Sequence, residues 1–402
     1  MIRLVEYEIK KHFLKLPMAA VILLFLIVNV MKISNIYHEK GIFSEENLED
    51  FKKVYWECYK DFGGEITNEK IEKLMSIYIP IQEKIADQTL SRKYDADSYT
   101  YNAYSDEIFF RWCFVDEIKY DYYYKQYAEK LVSNAKNNMV LYQSVGNRYK
   151  YRENYQTALC FVNRKIINFT YTEKYLYYLQ YDFSVLLVLL IGIYGLSNVF
   201  VLEKETEMDK LLITTVRGGR KSVLAKILAS SLFVTVVCFL FWMEDFIAFS
   251  VFFDNFGGNS SQLYALEIFK NTPLNIGLLQ YALLSGLLKT FGIFVFCMIF
   301  LLFSTAFKKS LFSYIASFAI MVALILAYDV VLMQGQALQK ILNPVSLLVN
   351  REIWKETEFI NILGYPIPVC CLTITVGLLW GALSIIGTVA LTEKSRLLKN
   401  ML

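Results

Sequence analysis

Few residues in this chain are of types that do chemistry, and most of their spacings exclude more than they suggest. The two histidines, His12 and His38, lie on either side of the first apolar run. That leaves zinc coordination inside the later runs without imidazole ligands. No Gly-x-Ser-x-Gly elbow occurs, and the aspartates within apolar runs are not spaced as an acid dyad, so an intramembrane hydrolase lacks its parts. The nearest approach to a phosphate-cradling Gly-x-x-x-x-Gly-Lys-Ser/Thr loop is "RGGRKS" (217–222). It misses the first glycine and carries Arg220 where the second belongs. Of seven cysteines, Cys58, Cys113 and Cys160 fall irregularly in one polar block, while Cys238, Cys297, Cys370 and Cys371 fall in apolar runs; neither set makes a framework. Two features remain. Lys289 interrupts "NIGLLQYALLSGLLKTFGIFVF", where an ionisable group costs about 2.5 kcal/mol or more unless paired or wet. Glu244 and Asp245, closing the preceding run, are its expected partners, either along a polar route across the bilayer or as a structural ion pair. The second feature is "EKETEMDKLLITTVRGGRKS" (Glu203–Ser222), a charged and small-residue segment between two apolar runs.

The elements that position these residues follow from composition. The chain has 402 residues, is 55% apolar and has a mean hydropathy of +0.36, which is that of a membrane protein. Six runs approach the length needed to cross the hydrocarbon: Phe13–Met31, Phe183–Leu202, Ile227–Met243, Ile276–Phe303, Leu311–Met333 and Ile367–Leu391. Lys and Arg crowd the N-terminus, segment 203–222, Phe307–Ser310 and the tail, whereas the opposite short loops hold only Lys270, Lys340, Arg351 and Lys355. The bias predicts cytosolic termini and a cytosolic segment 203–222. "IVNVMKISN" lacks a small-x-small cleavage site, so the first run is a retained anchor. Ahead of it Ile2, Val5, Ile9 and Phe13 recur at helical spacing, predicting a surface helix with Arg3, Lys10 and Lys11 toward anionic headgroups and Pro17 turning into the span.

Residues 35–180 leave the membrane pattern: charges are dense and most of the 29 tyrosines fall here. Apolar residues every three or four positions in "SEENLEDFKKVYWECYKDF", "TNEKIEKLMSIYIPIQEKIADQTL", Ser105–Lys136 and Tyr155–Tyr181 predict helices, with Ser44 and Asn68 as N-caps. "YDYYYKQY" (Tyr120–Tyr127) suits either a ligand surface or an amphipathic packing face. Gly192, Gly195 and Asn198 read as helix-packing positions and Asp329 as interfacial. Gln334–Pro366 is amphipathic, able to dip into the outer leaflet. The fold expected is an all-α polytopic membrane protein: a surface helix and first span (1–34), a large, mainly helical extracellular domain (35–180), and five further spans (181–402). A net charge of +3 calls for no nucleic-acid partner.

Segment 203–222 opens with Glu203, Glu205, Glu207 and Asp209, which suit a helix N-terminal turn; Met208, Leu211 and Leu212 add an apolar edge, then Gly218 and Gly219 break into the cluster Arg217, Arg220, Lys221 and Lys226. Such a stub fits a groove on a cytosolic partner. "LEKETEMDKLLITTVRGGRKSVLAKILA" resembles the stretch after the second span in permease subunits of ABC-2 type transporters, although Glu207–Met208 and Val216 depart from that pattern. The surface helix, the insertion after the first span and "LNPVSLLVN" (Leu342–Asn350) resemble the same family. The resemblance implies a bacterial plasma-membrane exporter subunit in which Glu203 and Glu205 begin a coupling helix, Leu211 and Leu212 pack it, Arg220 ends it and Lys226 enters the third span. It further implies that ATP and Mg are bound by two copies of a separate cytosolic ATPase, with no cofactor in this chain, and that the permease pairs with a second copy or a similar permease. The alternative reading is a membrane sensor that binds a peptide through residues 35–180 and signals to a cytosolic partner.

Overall fold

The computed structural model describes residues 1–43, 49–86, 94–208, 220–253, 257–334 and 337–400. Ser44, expected as a cap, lies outside them. Among the described residues, six helical stretches are long and apolar enough to cross a membrane: Leu16–Lys40, Glu173–Glu205, Arg220–Phe252, Leu278–Ala306, Ser310–Val330 and Val369–Glu393. Each coincides with one of the six runs. The first begins later than the hydropathy suggests, because Phe13 caps helix α1 (Ile2–His12) and Pro17 sits in the first turn of α2 (Leu16–Lys40), where a missing N–H costs no bond.

Between α2 and the second span lie α3 (Glu49–Phe62), strand β1 (Gly64–Glu65), α4 (Asn68–Ala86), α5 (Ala103–Phe110), a π-helical turn at Arg111–Val115, α6 (Asp116–Ser144), α7 (Arg148–Phe161) and β2 (Asn168–Phe169). The capping residue of α4 is Thr67, whose Oγ1 accepts from Lys70 N, in place of Asn68. Tyr55, Phe62, Phe109, Phe110, Phe114 and Tyr171 form an aromatic core for this block. Residues 162–172, expected helical, are not: α7 ends in a turn with Asn163 at φ 59, and β2 then pairs antiparallel with β1.

The second span is three helices in series, α8 (Glu173–Tyr178), α9 (Phe183–Leu196) and α10 (Val201–Glu205), followed by α11 (Arg220–Phe252), α12 (Leu278–Ala306) and α13 (Ser310–Gln334). Then come α14 (Ala337–Leu342), α15 (Val345–Leu348), α16 (Arg351–Trp354), the hairpin β3 (Phe359–Ile362) and β4 (Tyr365–Pro368), and α17 (Val369–Asn400). The described residues are thus mostly helical, with two small antiparallel strand pairs that the all-α expectation omits. α9 and α12 form the centre, with Leu189, Ile191 and Leu196 packed among Phe296, Cys297 and Phe300. Gly192 permits that approach, since a Cβ there would lie 3.0 Å from Cys297 Sγ. α11 and α17 turn Leu228, Leu232, Leu383 and Ile386 outward, as lipid-facing helices do.

Contacts sort the connections into two ends. At one, Tyr120, Tyr124 and Tyr127 of α6 donate to Tyr264 O (2.8 Å), Lys270 O (3.0 Å) and Asn271 Oδ1 (2.5 Å), and Tyr124 stacks on Tyr264 with centroids 4.8 Å apart. Arg152 of α7 donates to Gly364 O (3.1 Å) and covers the Tyr365 ring. The tyrosine cluster is therefore a seam between the block and the connection joining α11 to α12. At the other end α1, the start of segment 203–222, the α12–α13 turn and the beginning of α11 meet.

Segment 337–354 is folded into the bundle. Asn343 Nδ2 donates to Leu324 O (2.8 Å), Ser285 Oγ bonds Asn350 Oδ1 (2.9 Å), and fully buried Leu347 lies against Gly292 and Gly377.

Candidate functional site

Two clusters of buried polar groups are candidates for function. The first is a clasp at the end that holds α1. Lys226, one to two turns into α11 and 2% exposed, donates from Nζ to Glu8 Oε2 of α1 (2.9 Å) and to Glu203 Oε1 of α10 (2.7 Å). Lys11 Nζ reaches the same Glu203 oxygen at 2.6 Å, and His12 Nε2 lies 3.4 Å from Glu8 Oε2. Two carboxylates and two ammonium groups compensate one another, which is the condition for keeping charge out of water. Burial raises the Glu8 carboxyl, but His12, Lys226 and Lys11 outweigh it and hold it down at about 2. Burial pushes the His12 imidazole below its ordinary 6.5, and Lys226 and Lys11 add to that against the attraction of Glu8.

The oxygens of Glu8 and Glu203 and a His12 nitrogen lie within 4.8 Å of one another, a donor set that a divalent cation could use. The Lys226 ammonium already bonds both carboxylates, so the cationic role there is filled by the chain itself.

This arrangement corrects two expectations. Glu203 and Glu205 do not begin a helix: they close α10, the last turn of the second span, and the chain leaves it through Glu207 at φ 56. Carboxylates at a helix C-terminus oppose the macrodipole. Each is compensated from elsewhere, Glu203 by the clasp and Glu205 by Ser310, whose N and Oγ donate to it at 2.6 Å each, capping α13. Lys11 faces Glu203 instead of headgroups, because α1 packs on α11 through Val5 and Ile9. Met208 is half-exposed and helical again, Glu207 is exposed, and Arg220 pairs with Glu393 of α17. Leu211 and Leu212 lie outside the described residues.

The second cluster is embedded among the spans. Asn29 of α2, wholly buried, donates from Nδ2 to Glu244 Oε2 (2.9 Å) and Asp245 Oδ1 (2.7 Å) and accepts from Tyr181 OH (2.7 Å). Ser184 Oγ donates to Asp245 Oδ2 at 2.6 Å. Lys289 takes other partners than Glu244 and Asp245: its Nζ lies 3.1 Å from Asp182 Oδ1 and donates to Tyr181 O at 2.7 Å, while Arg351 also pairs with Asp182. The correction is geometric: Asp182 precedes α9 next to α12, so the lysine meets it first. Asp245 and Lys289 nevertheless line one cavity of about 40 Å³ with Tyr178, Trp242 and Ser285. That volume admits a water or two and no larger solute.

Asn29, Asp182 and Arg351 were not singled out from the sequence. Asn29 carried a legible signal, an amide inside "VILLFLIVNVM" that must find a partner in hydrocarbon. Asn198 packs as expected, donating to Tyr314 OH at 2.6 Å. Comparison with protein-family models, curated proteins and solved structures returns no match to this chain.

Proposed function

We propose that the chain is the membrane-spanning permease subunit of an ATP-driven transporter of the ABC-2 type, working as an exporter in a bacterial plasma membrane. In this reading both termini and segment 203–222 face the cytosol, the block after α2 is extracellular, and a separate ATPase, two copies per complex, docks on segment 203–222. The permease pairs with a second copy or a similar permease. The observation that carries the reading is the clasp: Glu203, where the second span runs into the charged segment, shares Lys226 with Glu8 and bonds Lys11. A displacement of the segment is thereby passed to α1 and α11 through buried ion pairs, which resist separation because parting them strands charge in an apolar medium. The chain supplies no phosphate cradle, so ATP and Mg belong to the partner.

The test is co-purification of the ATPase with the full chain. Leu211→Asp with Leu212→Asp is expected to abolish binding while the permease still inserts and folds. Normal binding and ATP hydrolysis with that variant would remove the docking role.

A second reading, a membrane sensor, is favoured by the tyrosine seam, which ties the block to the connection entering α12 and gives an outer ligand a route to the spans. An ATPase that never associates with the wild-type chain would select it.

A further inference from the structure

Arg164 follows α7 and is 3% exposed. Its Nη1 and Nη2 donate to Thr272 O (2.7 Å) and Pro273 O (3.0 Å), and the guanidinium is flanked by the rings of Phe161 (4.6 Å) and Tyr264 (5.1 Å). Its Nε is buried with no hydrogen-bond partner. Arg164 lines a cleft of about 650 Å³ between α6 and the 161–165 stretch, together with Lys125, Lys136, Lys165, Ser133 and Asn163. Glu129 is the one acid in the lining, 3.8 Å from Lys125. Val132 and Phe161 supply an apolar wall. Cationic side chains outnumber carboxylates in the cleft lining.

We propose that this cleft is a binding site for a phosphate ester, its oxygens taking the ammonium groups of Lys125, Lys136 and Lys165 beside the buried Arg164 guanidinium and its carbon portion lying on Val132 and Phe161. A phosphate fits better than a carboxylate because the cations surround the cleft on more than one side, and only a tetrahedral anion offers acceptors in all those directions. Thr272 and Pro273, which Arg164 holds, lie a few residues before α12 enters the membrane at Leu278, so the ester comes either from a lipid headgroup or from solution. The site is independent of the transporter reading, since none of its residues belongs to the clasp or to segment 203–222.

The test uses the full chain. Detergent-purified protein is titrated calorimetrically with sn-glycerol 3-phosphate, and in parallel the protein is placed in phosphatidylcholine nanodiscs with and without phosphatidylglycerol and its retained lipid is weighed by native mass spectrometry. Lys136→Gln with Lys165→Gln is the variant, both side chains being exposed and outside the core. Saturable binding in the first arm, about tenfold weaker in the variant, assigns a soluble ester. Retention of phosphatidylglycerol alone, lost in the variant, assigns the headgroup. Absence of both, or equal binding by wild type and a variant with an unchanged unfolding midpoint, overturns the site.

Discussion

His12 shows how much a single position can be made to do by its surroundings. It is buried against Glu8 beside two lysines, and burial and those lysines hold its docked imidazole below the ordinary range. Undocked, the same imidazole takes a proton below about pH 6.5. The docked state binds fewer protons there, so docking of α1 weakens as pH falls below 6.5. Glu8, held at about 2 against an ordinary 4.5, adds a further loss only as pH falls through 4.5 toward 2. The unfolding midpoint of the purified protein is therefore expected to fall between pH 7 and pH 5. His12→Gln should flatten that interval and leave the steeper fall below 4.5; a wild-type midpoint constant from pH 7 to 5 would contradict the assignment.

Among the elements, α15 depends most on the absence of side chains opposite it. A Cβ on Gly292 would lie 2.9 Å from Leu347 Cβ and 2.8 Å from Leu348 Cδ2, so Gly292→Leu must push α15 off α12. A loss of about 1–3 kcal/mol is expected, read as a lower unfolding midpoint in detergent. Gly381, whose Cβ would meet only Val295 at 3.8 Å, is the control and should tolerate alanine. Spans of this kind were legible because hydrocarbon demands long uninterrupted apolar runs, and all six appeared in the sequence. The breaks were not. The division of the second span at Tyr178–Phe183 and Leu196–Val201, and the end of α10 at Glu205, are decided by partners such as Ser304, whose Oγ accepts from Phe200 N, and Ser310. Those partners lie about a hundred residues away, where periodicity carries no information. Ion-pair choice was hidden for the same reason: Lys289 was readable as needing an acid, but selecting Asp182 over Asp245 requires the rotation of α12 against α9.

For the whole molecule, the sorting of connections into two ends makes the proposed topology a single binary question. A cysteine introduced at Ser133, on an exposed face of α6, is expected to react with an impermeant maleimide on intact cells, and one at Lys15 only after permeabilisation. Of the native cysteines, Cys58 and Cys113 are buried in the block and their thiols pushed up by that burial, and half-buried Cys160 and exposed Cys371 are replaced by serine in the background used. The reverse labelling pattern would invert the molecule and end the coupling proposal.

The seam between the block and the bundle has one more property. Tyr120, Tyr124, Arg164 and Arg152 all donate to main-chain oxygens, and Thr357 Oγ1 does the same to Asn271 O. A joint that grips the path of a backbone is indifferent to the letters written along it. Side chains still matter at Tyr264 and Asn271, which answer Tyr124 and Tyr127, and at buried Leu266 and Phe269; exposed Glu267 is free to diverge, whereas an insertion of one residue, which moves every oxygen out of register, should not be tolerated.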